Sequence, residues 1–149
     1  LGKLEAVCSL AHHDKKISLY SPGYPTLNEK ERAANPPNRV PLVLHHPVSG
    51  EAAIYGLNSS TCAIVPKGEI ISDSDLNVWD LEGKEDDSVK ILRDLLPFMT
   101  APDFTVKWTW QEGDIVVWDN RCTMHAATGF DDKNYSREMW RLTLLQSNS

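Results

Sequence analysis

Apolar and polar positions along this chain follow two rhythms, and the changes between them mark its elements. Leu4, Val7, Cys8 and Ala11 recur at helical spacing, which predicts a helix over Leu1 to Leu10 with one apolar side. From Lys15 to Pro37 the chain is polar and broken by Pro22-Gly23, Pro25 and Pro36-Pro37. A short helix fits inside that stretch from Asn28 to Ala34, with Asn28 or Thr26 as its N-cap. Val40 to Leu44 and Ala52 to Leu57 are apolar runs of strand length on either side of Pro47-Val48-Ser49-Gly50, the pattern of a hairpin. Ser59 to Glu85 keeps no period. It holds Pro66-Lys67-Gly68 and a run of acidic residues from Asp73, and reads as an inserted loop, either solvated or touching a substrate.

The helical period returns from Ser88 to Leu96, with Val89, Leu92, Leu95 and Leu96 on one buried face and Pro97 near the end. Phe104, Val106, Trp108 and Trp110 then alternate with Thr105, Lys107 and Thr109, as in a half-buried strand. Two further strands are predicted, from Ile115 to Trp118 after the turn Glu112-Gly113-Asp114, and from Glu138 to Leu145. Extended backbone in the second puts Arg137, Met139 and Arg141 on one face. Helices before and between antiparallel strands suit a jelly roll better than a parallel α/β sheet. The expected fold is mainly β with packing helices.

Composition narrows the classes. A chain of 149 residues, 41% of them hydrophobic, is one domain's worth with enough apolar surface for a core. An excess of 21 acidic over 15 basic residues argues against a general nucleic-acid binder, which needs a basic face. No apolar run reaches membrane-spanning length and no signal peptide is visible, so neither nucleic acid nor membrane is an expected partner. Cys8, Cys62 and Cys122 are odd in number and widely spaced, which favours a reducing, cytoplasmic setting over a disulfide framework. The chain opens at Leu1 without an initiator methionine, as a piece of a longer protein would. Homo-oligomer formation is left open.

The candidate chemistry gathers late in the chain. Two guanidiniums on one face, Arg137 and Arg141, suit a carboxylate, which they can grip bidentately. His125 lies a short loop upstream, and neutral imidazole is a common metal ligand. Together they suit a cation site beside an anion site. Trp118 either lines that pocket or is an ordinary core aromatic. Cys122-x-x-His125 resembles half of a zinc site without a second half, and a Cys-His hydrolase lacks its orienting partner. His12-His13-Asp14 contains a His-x-Asp pair, but its helix-like surroundings and Lys15-Lys16 favour a surface or hydrogen-bonding role. His45 and His46 read as turn or core residues, and Asn120 and Arg121 as residues that turn the chain.

The same residues carry a resemblance. Trp118-Asp119-Asn120-Arg121-x-Thr123-Met124-His125-x-Ala127-x-x-Phe130-Asp131-Asp132, followed by Arg137-x-Met139-x-Arg141, resembles the C-terminal signature of the taurine dioxygenase/2,4-dichlorophenoxyacetate dioxygenase family. His46-Pro47-Val48-Ser49-Gly50 with Ala53-Ile54-Tyr55 resembles that family's hairpin, and Pro102-x-Phe104-x-Val106-x-Trp108-x-Trp110 joins the two. The resemblance implies an Fe(II)- and 2-oxoglutarate-dependent dioxygenase that hydroxylates a small organic, anionic substrate with dioxygen, releasing succinate and CO2. It implies the C-terminal portion of a double-stranded β-helix, with residues 1–149 as part of one domain. His125 matches the distal iron ligand, Arg137 the arginine on the distal carboxylate of 2-oxoglutarate, and Arg141 a second arginine on co-substrate or substrate. The His-x-Asp ligand pair is expected upstream of Leu1, and this piece alone is expected to be inactive. A non-catalytic jelly-roll module binding a small anion through Arg137 and Arg141 is the alternative.

Overall fold

Residues 1–70 and 87–144 are described by a computed structural model of the chain. Its first element is a strand. β1 (Leu4–Cys8) is the centre of a three-stranded antiparallel sheet, flanked by β2 (Asn38–Pro41) and β5 (Thr61–Pro66). Ala6 stands opposite Val40 on one side and Ile64 on the other. The helix expected over Leu1 to Leu10 is therefore corrected. Leu4, Val7 and Cys8 have helical spacing, but both faces of this central strand are covered, so it needs no alternation, and two ladders decide for the strand. Ala6 and Val7 are both buried, on opposite faces of the sheet.

Helix begins where it was expected to end. Ser9 caps α1 (Leu10–Tyr20), its side chain accepting from the His12 backbone N–H. The short helix α2 (Glu29–Ala34) forms as expected, with Asn28 at its N-cap. Asn28 and Glu31 close a reciprocal capping box, each side chain accepting from the other's backbone N–H.

The apolar run Val40 to Leu44 is divided between two sheets. β2 ends at Pro41, and β3 (Val43–His45) pairs instead with β4 (Ala52–Ile54) in an antiparallel hairpin. Leu42, fully buried between them, is the hinge. Its N–H donates to the Leu4 carbonyl at 3.0 Å, and its own carbonyl accepts from the Tyr55 N–H at 2.8 Å. The hairpin turn stands as predicted, with His46 N–H donating to the Glu51 carbonyl and Gly50 at a φ of 74°. β5 was not predicted as a strand. It lies in the stretch read as an inserted loop, whose residues 71–85 lie outside the described residues.

The core gathers Ala6, Leu42, Leu57 and Ile64, with Leu4, Val40 and Ile54 against them. α3 (Asp87–Met99) covers this face through Ile91, Leu95 and Met99, one residue per turn. Of the face expected for this helix, Leu95 is retained and Leu96 points outward, 45% exposed. The side chains of Val89 and Leu92 lie outside the described residues. Gly56, at φ 78°, passes so close to the sheet that a Cβ would meet Val40 Cγ2 at 2.6 Å.

Beyond α3 a single 3₁₀ turn forms at Pro102–Phe104, and from 105 to 144 no helix or strand is present among the described residues. The three strands expected at Phe104 to Trp110, Ile115 to Trp118 and Glu138 to Leu145 are corrected accordingly. Val106, Ile115, Val117 and Leu142 are each more than four-fifths exposed. A strand forms only where a neighbour supplies both a ladder and apolar cover, and no described strand pairs with these segments. The sheet-and-helix architecture stands, and its packed part ends before the candidate chemistry begins.

Candidate functional site

The segment that carries His125 is shaped by one carboxylate. The Asp119 backbone carbonyl accepts from the N–H groups of Cys122 and Thr123, and from Thr123 Oγ1 at 2.6 Å, closing a turn over Asn120 to Cys122. Its side chain accepts the Arg121 N–H at 2.8 Å and grips the Arg121 guanidinium through Nε and Nη2. Asp and Asn favour such local turns because their short side chains reach the backbone two residues on. Asn120 joins in, accepting from the Trp118 indole N–H at 2.8 Å. Asn120 and Arg121 thus have the turn-forming roles expected of them.

This turn folds the chain back so that Trp118 and His125 meet, their ring centroids 4.7 Å apart and tilted by 50°. Trp118 is half-buried while His125 is exposed. An imidazole held against an indole at the surface keeps its ring nitrogens available while losing rotational freedom. Arg137 is exposed and lies over Phe130, its guanidinium carbon 4.4 Å from the ring centroid. Its Nη1 donates to the Thr128 carbonyl at 3.5 Å, at the limit of a hydrogen bond. Arg141 is exposed as well. Neither arginine forms an ion pair among the described residues. Their alternation on a strand face is not observed, because no strand forms there.

His12 and Asp14 sit inside α1. His12 is buried, and Asp14 accepts from the Leu27 N–H at 3.2 Å, fastening the proline-rich loop to the helix. Among the described residues they form no ligand cluster with His125.

A second arrangement was missed from sequence. His46 Nε2 lies 3.1 Å from Asp119 Oδ2, so the hairpin and the Asp119 turn are joined across 73 positions of chain. Cys122 completes a group in which ligand-capable atoms of His46, Asp119 and Cys122 lie within 4.8 Å of one another. His46, Ser49, Glu51, Ala52, Ala53 and Cys122 line an open depression beside it. His46 is a turn residue, as read, and its ring also does more. The cue available in sequence was that His46 and Asp119 both fall inside family-like motifs. Asp119 is held well below the usual carboxylate range, first by the Arg121 guanidinium and backbone N–H, then by His46. Arg121 is correspondingly raised by Asp119. With a guanidinium already on both Asp119 oxygens, the group reads as a hydrogen-bonded network and not as a cation seat.

Comparison with known proteins agrees with the motifs. The sequence profile of the family described as taurine catabolism dioxygenase TauD, TfdA family matches residues 2–143. An alpha-ketoglutarate-dependent 2,4-dichlorophenoxyacetate dioxygenase of Cupriavidus pinatubonensis is 30% identical over 136 residues, covering 91% of this chain and 41% of that protein. The enzyme of the same name from Burkholderia sp. (strain RASC) is 29% identical, over 91% of this chain and 39% of its own length. An alpha-ketoglutarate-dependent sulfate ester dioxygenase of Pseudomonas putida is 34% identical over 104 residues, 70% of this chain and 29% of the relative. The chain thus spans about two fifths or less of the length of these relatives. No solved structure matches it.

Proposed function

This chain belongs to the taurine catabolism dioxygenase TauD, TfdA family, and from that premise we propose that it is the C-terminal part of one Fe(II)- and 2-oxoglutarate-dependent dioxygenase domain. The whole domain hydroxylates a small organic anion with dioxygen, releasing succinate and CO2. The observation that carries this reading is the family match over residues 2–143, which takes in the Trp118–His125 turn and Arg137 to Arg141 together.

The residues present fit part of such a site. Non-heme iron of this class takes two histidines and one carboxylate. His125 supplies one imidazole, exposed and steadied by Trp118. The described residues bring no second histidine and carboxylate to it, so the other two ligands come from the remainder of the domain. Bound iron with 2-oxoglutarate supplies the oxidising chemistry. This chain's own part would be to donate a lone pair from His125, to hold the distal carboxylate of 2-oxoglutarate on Arg137, and to line the pocket with the Trp118 ring that packs on His125. Arg141 holds either the co-substrate or the substrate's acid group. A planar guanidinium without an ion-pair partner is a ready seat for a carboxylate.

The exposed apolar residues from Phe104 to Leu144 support the jelly-roll reading. Their alternation is that of strands, and a neighbouring sheet of the same double-stranded β-helix is the cover they lack. No helix among the described residues is long and apolar enough to cross a membrane. Taken by itself, with one ligand and two arginines that form no ion pair among the described residues, the chain also fits the second reading, a module that binds a small anion through Arg137 and Arg141.

Anaerobic addition of Fe(II) and 2-oxoglutarate to the complete domain tests the proposal. A visible charge-transfer band that His125→Ala abolishes is the expected result. Its absence in the unaltered protein, with anion binding retained, leaves only the second reading.

A further inference from the structure

His46 and Asp119 come from motifs far apart in sequence, and their contact is directional. The His46 Nδ1 accepts from the backbone N–H groups of Val48 and Ser49, at 3.3 and 3.2 Å. A ring nitrogen that accepts from N–H donors carries no hydrogen. The neutral ring therefore holds its hydrogen on Nε2, which faces Asp119 Oδ2 at 3.1 Å and donates to it. One imidazole thus braces the hairpin turn with one nitrogen and reaches out of the hairpin with the other. His46 is mostly buried, its side chain 15% exposed. The hairpin beneath it is anchored through the Val43↔Ile54 ladder and buried Leu42 to the main core.

On the other side, Asp119 organises the turn that sets Trp118 against His125. Apart from this contact, the polar bonds of Asp119 among the described residues run to Arg121, Cys122 and Thr123, all within its own turn. Such bonds shape the turn but cannot say where it lies relative to the packed sheets. The bond from His46 can.

We propose that His46 is a positioning residue: through its Nε2–H to Asp119 it anchors the His125 turn to the β3–β4 hairpin and so places the ligand imidazole. This rests on the dioxygenase reading for its consequence, but the anchoring itself does not. Two substitutions separate the two jobs of the ring. Gln offers an amide N–H where Nε2 stood and gives up the Nδ1 acceptor. Asn keeps an acceptor near Nδ1 and cannot reach Asp119. Asp119 is the poorer target, because its removal dismantles the turn itself.

The test uses His46→Gln and His46→Asn, read first by NMR on the 149-residue chain. The reporters are the cross-peaks from the β3–β4 hairpin to residues 119–122, and those between the Trp118 and His125 rings. Both sets should persist in His46→Gln, and His46→Asn should lose the hairpin-to-turn peaks while its hairpin amides stay dispersed. In the complete domain, Fe(II) affinity should then fall about 10- to 100-fold for His46→Asn, the usual size for groups that orient a ligand, and far less for His46→Gln. Hairpin-to-turn peaks that survive in His46→Asn overturn the proposal. So does equal loss in both variants, which would assign His46 to the turn alone. If the unaltered complete domain takes up no Fe(II), the dioxygenase reading fails while the NMR comparison still decides the anchor.

Discussion

The first 66 residues and the stretch from 105 to 144 are built on opposite terms. In the first, two sheets bury Ala6, Leu42 and Ile64 under α3, and each strand finds a partner. In the second, apolar residues as prominent as Val106, Ile115 and Leu142 stand out in solvent, and shape comes from local polar turns. Asp114 accepts from Gln111 N–H and the Trp108 indole; Asp119 and Asp131 play the same part further on. Yet His125, Arg137 and Arg141 all lie in the second region. The packed region supplies a platform, and the proposed site residues sit on a segment that pairs with no described strand. Loops placed by a rigid scaffold are where binding residues concentrate. Here, among the described residues, the side-chain hydrogen bond that links scaffold to loop is His46 to Asp119.

Stability should respond unequally in the two regions. Leu42→Ala, at a fully buried site joining both sheets, should cost about 2–5 kcal/mol in chemical denaturation. Leu142→Ala, at a side chain 91% exposed, should change it by less than about 0.5 kcal/mol. Comparable losses would mean that the second region packs as tightly as the first. Gly56→Ala comes next: a positive φ and a Cβ 2.6 Å from Val40 should together cost about 1–3 kcal/mol, and an unchanged midpoint would show that the contact relaxes freely.

Thiol chemistry sharpens the contrast without unfolding anything. Cys62 is buried, and that burial, helped by neighbouring Cys8, pushes its thiol up to about 11. Cys122 is exposed. Alkylation near neutral pH should label Cys122 quickly and Cys62 only on global unfolding, as mass spectrometry of timed samples would show. Because the folded value is raised, Cys62 contributes stability fully below the ordinary thiol value and loses it as pH rises towards 11. Asp119 has the opposite sign. Its lowered value contributes stability above the ordinary carboxylate value of about 3.9, lost as pH falls through the lower folded value. The Trp118–His125 contact should therefore survive mild acid and disappear only below that range, a small effect followed by NMR. Its loss near pH 5 would show that Arg121 does not hold the carboxylate.

Local chemistry was legible where it acts locally. The capping box at Asn28 and Glu31, the hairpin around Gly50 and the turn roles of Asn120 and Arg121 follow from side chains that reach only a few residues. Strand or helix at Leu4 to Cys8 was not, because that choice rests on partners nearly 60 residues away at β5. β5 itself had a readable signal, the β-branched run around Ile64 bounded by Ser59-Ser60 and Pro66-Lys67-Gly68, obscured by the acidic stretch that follows. The late strands failed for the converse reason: Phe104 to Trp110 alternate as strands do, but alternation states a preference and no described neighbour satisfies it. The candidate site was legible only as motif, with His125 and Arg137 named by their neighbours. The His46–Asp119 link was not, since it depends on where a hairpin and a turn come to rest.

The most direct test of the central claim, that this exposed segment holds the co-substrate, is the 2-oxoglutarate KM of the complete enzyme carrying Arg137→Ala. A charge-assisted bond to a carboxylate contributes about 1.5–3 kcal/mol, so the KM should rise on the order of 10- to 100-fold, with turnover partly recovered at saturating 2-oxoglutarate. The KM for the organic substrate should move little. An Arg137→Ala enzyme whose 2-oxoglutarate KM is unchanged would contradict the assignment.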